Sequence, residues 1–280
     1  MSLIRQALMI PVAVVMLGVG AVAVQAEAPA RQDVESFLEV TGFDVALESI
    51  RLSADAAPQM LGLEAKDFGS EWQRLVGEVF EKELMHNMAL NILENTLTDE
   101  LLTHAADFYA SDLGQRLVQA ENSSHLIEED GVKSESGGQI VEGLKGINSP
   151  RVAILERLNA ASGSEDSSLR SIQEVQIRFL MAAAWAGVVE LQMDEPDLRE
   201  AMRSQEADIR SNLRQSALEG AAYTYQAFSD AEMEDYAAAL EHPKMKKVYE
   251  LMNAVQYEVM ADRFEVVAGR LREMQPSQDL

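Results

Sequence analysis

The stretch LTDELLTHAADFYASDLGQRL, residues 97–117, predicts two helices joined by a tight turn. Thr98 precedes an acidic pair, an order typical of a helix N-cap followed by acids that the helix dipole stabilises. Ser111, followed by Asp112, is the candidate N-cap of the second helix. Leu101 and Tyr109 belong to one apolar helical face, and a glycine in the second helix lets the two helices approach closely. This corner gives a structural role to Thr98, Phe108, Tyr109, Ser111 and Gly114.

The rest of the chain carries the same helical composition. Alanine, leucine, glutamate, methionine and glutamine dominate, and alternating β-branched patterns are nearly absent. We therefore predict an all-α fold, a helical bundle. The apolar residues 181–188 are expected in a buried central helix. The longest predicted helices cover residues 72–93, 169–193, 196–228 and 243–274.

An internal repeat is predicted from a shift of 131 residues, which brings Thr98-Asp99 onto Ser229-Asp230. Both halves then contain a long helix, a capped short helix, a tight turn and a long helix. Between them, residues 131–149 hold five glycines, a composition typical of a flexible linker. We predict a duplicated long-short-long helix unit, with an N-terminal unit at residues 27–130 and a divergent C-terminal unit at residues 150–280.

The first 26 residues have the pattern of a secretory signal peptide. Arg5 is the only charge before Glu27, and an apolar run at residues 7–24 leads to small residues and a cleavage point after Ala26. The alternative is an uncleaved inner-membrane anchor formed by residues 7–24. This run is slightly shorter than the roughly 20 apolar residues that a membrane span needs. We expect the cleaved form, a periplasmic protein with no membrane span after signal cleavage.

Charge and cysteine content exclude several classes of function. The chain has 47 acidic against 23 basic side chains and a formal net charge of −24, so it repels nucleic acid and anionic lipid. It has no cysteine, which excludes disulfides, thiolate metal sites and cysteine nucleophiles. Motifs of zinc proteases, serine hydrolases and phosphate-binding loops are also absent from the sequence. We expect no nucleic-acid partner and no cofactor, and we lean against an enzyme.

The motif at residues 97–117 resembles the bacterial family named domain of unknown function 2059. The residues that carry the resemblance are Leu-Thr, an acidic pair, an apolar pair, Phe-Tyr, Ser, Gly and a basic residue. The preceding FLEVTGFDVAL, residues 37–47, is similar to the helix often found before that motif. Asp112 departs from the proline usual in the family, and Met245 replaces the glycine in the second copy. The resemblance covers residues 33–125 and implies a secreted, all-helical module that has no assigned activity.

Three titratable residues share one face of the first helix of the corner. Glu100, His104 and Asp107 have the spacing i, i+4 and i+7, and a carboxylate–histidine–carboxylate group can bind zinc or manganese. The alternative is a solvated face, since such spacings arise by chance in an acidic chain. Glu83 and His86 form one Glu-x-x-His element, which di-iron bundles use in pairs. The sequence offers no second Glu-x-x-His.

Three functions follow as hypotheses. We expect a non-catalytic interaction module of the bacterial envelope, which presents a helical face to an unknown envelope protein. The alternative is a binder of an apolar or cationic small molecule, and the second alternative is a metal-dependent hydrolase built on Glu100, His104 and Asp107. The module predicts a large exposed apolar patch. The binder predicts a continuous cavity between the halves, lined by methionine and leucine.

Overall fold

The computed structural model describes residues 29–127, 130–163 and 165–274, which form helices joined by short turns and contain no strand. The all-α prediction is therefore confirmed for this part of the chain. The predicted signal peptide, residues 1–26, lies outside the described residues. Within them, no helix is both long and apolar enough to cross a bilayer.

The helices follow one another with few long connections. The first half contains α1 (Arg31–Thr41), α2 (Phe43–Ser49), α3 (Ala56–Gln59), α4 (Ser70–Val79), α5 (Lys82–Thr96), α6 (Asp99–Tyr109) and α7 (Asp112–His125). The second half contains α8 (Asp130–Gly146), α9 (Arg151–Ser162), α10 (Glu165–Trp185), α11 (Glu195–Arg203), α12 (Glu206–Thr224), α13 (Asp230–Leu240) and α14 (Pro243–Leu271). Short 3₁₀ turns lie at Ile50–Ser53, Ala65–Phe68 and Arg272–Met274.

Local capping builds the corner at residues 97–117. The Thr98 hydroxyl accepts a hydrogen bond from the Leu101 N–H at 3.4 Å and so caps α6. The Ser111 hydroxyl accepts one from the Gly114 N–H at 3.1 Å and caps α7. A Cβ at Gly114 would lie 2.5 Å from the Cα of Tyr109, so the turn requires a residue without a side chain there.

One hydrophobic core runs through both halves, and α14 lies at its centre. This helix packs against α4, α5 and α6 from the first half and against α10 from the second. The Phe264 ring meets Phe80 and Phe179 edge to face, with centroids 6.0 and 6.1 Å away. Because residues of both halves pack on the same side chain, the predicted units at 27–130 and 150–280 share a single core.

Residues 131–149 do not form the predicted flexible linker. Helix α8 covers most of this segment and packs along α12, with Val141 only 2% exposed. A Cβ at Gly137 would collide with the backbone of Glu219 on α12. Glycine therefore serves here to bring two helices into close contact, and the expectation of flexibility was wrong.

Two of the predicted long helices are interrupted. The helix predicted at residues 72–93 breaks between α4 and α5, where Phe80 leaves helical geometry at φ −102° and ψ 38° and Glu81 is extended. The helix predicted at residues 196–228 is likewise divided into α11 and α12. Hydrophobic periodicity did not show the first break, because α4 and α5 both bury apolar residues in the same core.

The apolar stretch 181–188 is not a buried central helix throughout. Helix α10 ends at Trp185, whose side chain is 88% exposed. Gly187 then adopts a left-handed φ of 74°, which turns the chain away. Ala183 is fully buried, so the prediction holds for the inner side of α10 and fails for its end.

Candidate functional site

A cavity of about 1060 Å³ lies between helices of the two halves. Its walls come from α1, α2, α6 and α7 on one side and mainly from α9, α12, α13 and α14 on the other. Small-molecule sites usually measure about 300–1,000 Å³, so this cavity has room for an organic ligand. Five of the six tyrosines in the chain line it, although only 6% of all residues are aromatic. They are Tyr109, Tyr225, Tyr236, Tyr249 and Tyr257.

Four of these tyrosines form a hydrogen-bonded network around Glu121 of α7. The hydroxyls of Tyr225 and Tyr236 each donate to Oε1 of Glu121 at 2.8 Å. The Tyr236 oxygen also lies 3.0 Å from the Tyr249 hydroxyl and 3.1 Å from the Tyr109 hydroxyl, which are hydrogen-bonded to each other. Since Tyr236 gives its single proton to Glu121, its oxygen can only accept, and because Tyr109 and Tyr249 share one proton between them, one of these two hydroxyls is left to donate to it. The network joins α6 and α7 of the first half to α12, α13 and α14 of the second.

Glu121 is a carboxylate deep in the protein without a basic partner. No Lys, Arg or His among the described residues forms an ion pair with it, and Oε2 receives no hydrogen bond from them. Burial raises the pKa of Glu121, and the hydroxyls of Tyr225 and Tyr236 oppose this effect only in part. The side chain stays partly accessible to water because it faces the cavity. An ionised carboxylate in this position costs free energy unless a cation compensates it.

The tyrosine hydroxyls are donors and acceptors, and they do not ionise at physiological pH. Burial is the main cause that raises the pKa of each of the four above the ordinary value of 10.0. His125 lines the same wall as Glu121, and burial followed by the charge of Lys133 lowers its pKa below 6.5. The imidazole is therefore neutral at pH 7. Thus the inner wall carries one acid and no positive charge.

Charged residues at the mouth of the cavity are balanced. Glu165 pairs with Arg214 at 2.9 Å and with Arg210 at 3.4 Å. Glu156 and Lys145 are exposed and also line the cavity. Among the described residues that line the cavity, the charge that no opposite charge balances is consequently that of Glu121.

The residues considered for a metal site lie elsewhere, on the outer face of α6. Glu100 is exposed and forms an ion pair with Lys244 at 2.7 Å. The His104 ring stacks against His242, with the centroids 4.3 Å apart, and Asp107 is exposed. In the described part of the chain, no group of three or more His, Asp or Glu is placed to hold a metal ion. The structure does not bring the zinc or manganese trio together.

The Glu-x-x-His element likewise meets no second copy among the residues described. Nε2 of His86 is buried and has no hydrogen-bond partner in that part of the chain. Neither Glu83 nor His86 lines the cavity. This element therefore adds no group to the candidate site.

One wall of the cavity comes from a segment with known relatives. Residues 83–126, which contain α6, α7 and most of α5, match a family model described as an uncharacterized protein conserved in bacteria. That family is domain of unknown function 2059. The resemblance inferred from residues 97–117 is confirmed. No curated protein and no solved structure significantly matches the chain.

The domain of unknown function 2059 segment supplies Tyr109 and Glu121 to the site. Sequence reasoning gave Tyr109 a packing role, and the structure adds a hydrogen-bonding role at the cavity wall. It missed Glu121, Tyr225, Tyr236 and Tyr249. The only signal for them was the crowding of five tyrosines into residues 223–257 of a chain with few aromatic residues.

Proposed function

We propose that this protein is a non-catalytic binder that holds a small organic molecule in the cavity between its two halves. The observation that carries this proposal is the concentration of five tyrosines around a cavity of about 1060 Å³ that also contains a buried carboxylate. Ligand sites combine apolar and aromatic walls with a few placed polar groups. This cavity has that composition, with more tyrosine and less methionine than the sequence predicts.

The titration properties of the wall favour binding over chemistry. Acid–base catalysis uses one group that donates a proton and one that accepts a proton, with pKa values near the working pH. Here burial keeps the four tyrosine hydroxyls of the network protonated. Within the described parts of the chain, those hydroxyls are the only titratable groups in hydrogen-bond contact with Glu121. Such a wall recognises a ligand through hydrogen bonds and charge.

Cellular location and ancestry complete the proposal. The charged, apolar and small-residue pattern of residues 1–26 supports export to the periplasm with cleavage after Ala26. Duplication of a long-short-long helix unit is supported by the bounds of α6 and α13, which coincide after a shift of 131 residues. The N-cap residues of these two helices, Thr98 and Ser229, also coincide after this shift. In this view the ligand site lies between the two copies.

Fluorescence of the neutral probe N-phenyl-1-naphthylamine tests the binding function. Ala217 is exposed and lines the cavity on α12, so Ala217→Trp narrows the opening without disturbing the core. Ala207 is exposed on the same helix and lies away from the cavity, which makes Ala207→Trp the matched control. We expect saturable binding to wild type and to the control, and about tenfold weaker binding to Ala217→Trp, equivalent to about 1.4 kcal/mol. Unsaturable binding, or equal affinity in all three proteins, would refute the proposal.

A second candidate function, docking to an envelope protein, is favoured by Trp185. Its side chain is 88% exposed and stands beside Met181 and Ala182, and tryptophan is enriched among residues that dominate protein interfaces. Cross-linking in intact cells tests this function. We expect Trp185→Ala to lose a cross-linked partner that Ala207→Trp retains, and an unchanged cross-linking pattern would contradict it.

A further inference from the structure

Glu121 is half-buried and, unlike the buried arginines of the described chain, has no counter-charge among the described residues. The two buried arginines both have acidic partners: Arg151 contacts Asp230 at 3.1 Å, and Arg263 pairs with Asp262. Glu121 receives two neutral hydroxyl donors on Oε1 and no ion pair. The protein therefore holds one carboxylate in a cavity, and the described residues supply no cation to balance its charge.

Tyrosine hydroxyls surround this carboxylate. Those of Tyr225 and Tyr236 donate to Oε1 at 2.8 Å, and those of Tyr109 and Tyr249 lie 3.1 and 3.0 Å from the Tyr236 hydroxyl. The Tyr236 ring is stacked on Phe108, with the centroids 5.8 Å apart, so it reaches the network through its hydroxyl. A hydroxyl whose proton is already donated presents only oxygen lone pairs, which attract a cation. Hydroxyl oxygens and carboxylate thus favour the same sign of ligand charge.

The remaining charges of the site do not favour an anion. Arg214 lies at the mouth and is engaged by Glu165 at 2.9 Å, and Lys145 is exposed at the edge. A ligand carboxylate or phosphate at the inner end would face Glu121 without a basic residue beside it. The net charge of −24 also raises the local concentration of cations near the surface.

We propose that the ligand is an organic cation whose alkylated ammonium group binds at Glu121, beside the hydroxyl network of Tyr109, Tyr225, Tyr236 and Tyr249. This inference rests on the proposed cavity function and names the chemical class of its ligand. The cation takes its place near Oε2, while Tyr225 and Tyr236 continue to donate to Oε1. The larger, apolar part of the ligand extends toward Val248 and Met252, which line the same cavity.

Two probes of equal shape test the charge preference directly. Phenyltrimethylammonium and tert-butylbenzene differ in one atom, a positively charged nitrogen in place of a carbon. Each is titrated as a competitor of N-phenyl-1-naphthylamine in the full-length mature protein. An apolar cavity without a counter-charge favours the neutral compound, because the cation must give up its hydration. We expect wild type to bind the cation about tenfold or more tightly than the neutral isostere.

Glu121→Gln removes the charge and keeps an acceptor oxygen for Tyr225 and Tyr236. We expect this variant to lose the preference for the cation, measured as the ratio of the two competitors' affinities for the same protein. Glu83→Gln is the matched control, since Glu83 is exposed, lies outside the cavity lining, and loses the same charge in the substitution. The control should keep the wild-type preference.

The outcomes separate this inference from the proposed function. If N-phenyl-1-naphthylamine binds and tert-butylbenzene displaces it as well as or better than the cation, the cavity binds ligands and the cation inference is wrong. Equal loss of preference in Glu121→Gln and Glu83→Gln would also overturn it, because general surface charge would then be the cause. If the fluorescent probe does not bind to wild type, both fail. Should Glu121→Gln lose helicity, the comparison of the two competitors on wild type decides alone.

Discussion

Replacing Tyr236 by phenylalanine tests whether the tyrosine–glutamate network stabilises the contact between the two halves. The substitution keeps the ring and removes a hydroxyl that donates to Glu121 at 2.8 Å and lies 3.0 and 3.1 Å from the hydroxyls of Tyr249 and Tyr109. Tyr236 is 1% exposed, so water does not replace the lost donor at that position. A hydrogen bond to a charged group contributes about 1.5–3 kcal/mol. We expect the free energy of unfolding to fall by about this amount.

Urea unfolding followed by circular dichroism measures the loss. With a slope of about 2–3 kcal/mol per molar urea, the midpoint should fall by about 0.5–1.5 M. Tyr257→Phe is the control, because Tyr257 lines the same cavity and forms no hydrogen bond through its hydroxyl to the described residues. Its free energy of unfolding should stay within about 0.5 kcal/mol of that of wild type. Equal midpoints for the two variants would refute the idea that the network bridges the halves.

Two further predictions concern Glu121 and the helix that replaces the expected linker. Burial raises the pKa of Glu121 above 4.5, so the folded protein retains a proton that the unfolded chain has released. The contribution of Glu121 to the free energy of unfolding of wild type should therefore fall as the pH rises above 4.5. Over that pH range, the urea midpoint of Glu121→Gln should rise relative to that of wild type. Gly137→Val should cost about 1–3 kcal/mol by forcing α8 away from α12. Gly143→Ala, where a Cβ meets open space, should raise the free energy of unfolding by up to about 1 kcal/mol.

The corner at residues 97–117 was predictable because its information is local. Thr98 and Ser111 cap the helices that follow them within three residues, and such bonds depend little on the rest of the chain. Helix composition predicted the fold class for the same reason. A match at residues 83–126 to the same bacterial family agrees with this local pattern.

Tertiary contacts overrode local composition in α8. Glycines indicate a flexible segment when the sequence is taken alone, because each one weakens an isolated helix. At Gly137 the missing side chain instead makes room for the backbone of Glu219, eighty-two positions later. Packing against α12 then stabilises a helix that propensity disfavours.

The candidate site was not predictable, because its parts are distant in sequence. Tyr109 and Tyr249 are 140 positions apart, and Glu121 is one of 47 acidic residues. Nothing in the residues next to Glu121 distinguishes it from a solvated acid on a helix. By contrast, Glu100, His104 and Asp107 had a recognisable spacing, yet their carboxylates face solvent and a lysine. Spacing places residues on one face, and only the fold decides whether that face meets a cavity.

Native mass spectrometry of the protein purified from a periplasmic extract tests the central claim, that the cavity holds a small organic molecule. The wild-type spectrum should show a fraction of the chain with an added organic mass that collisional activation removes. The same extract procedure should yield Ala217→Trp without this mass and Ala207→Trp with it. A wild-type chain without any added mass, or an identical added mass on Ala217→Trp, would contradict the claim.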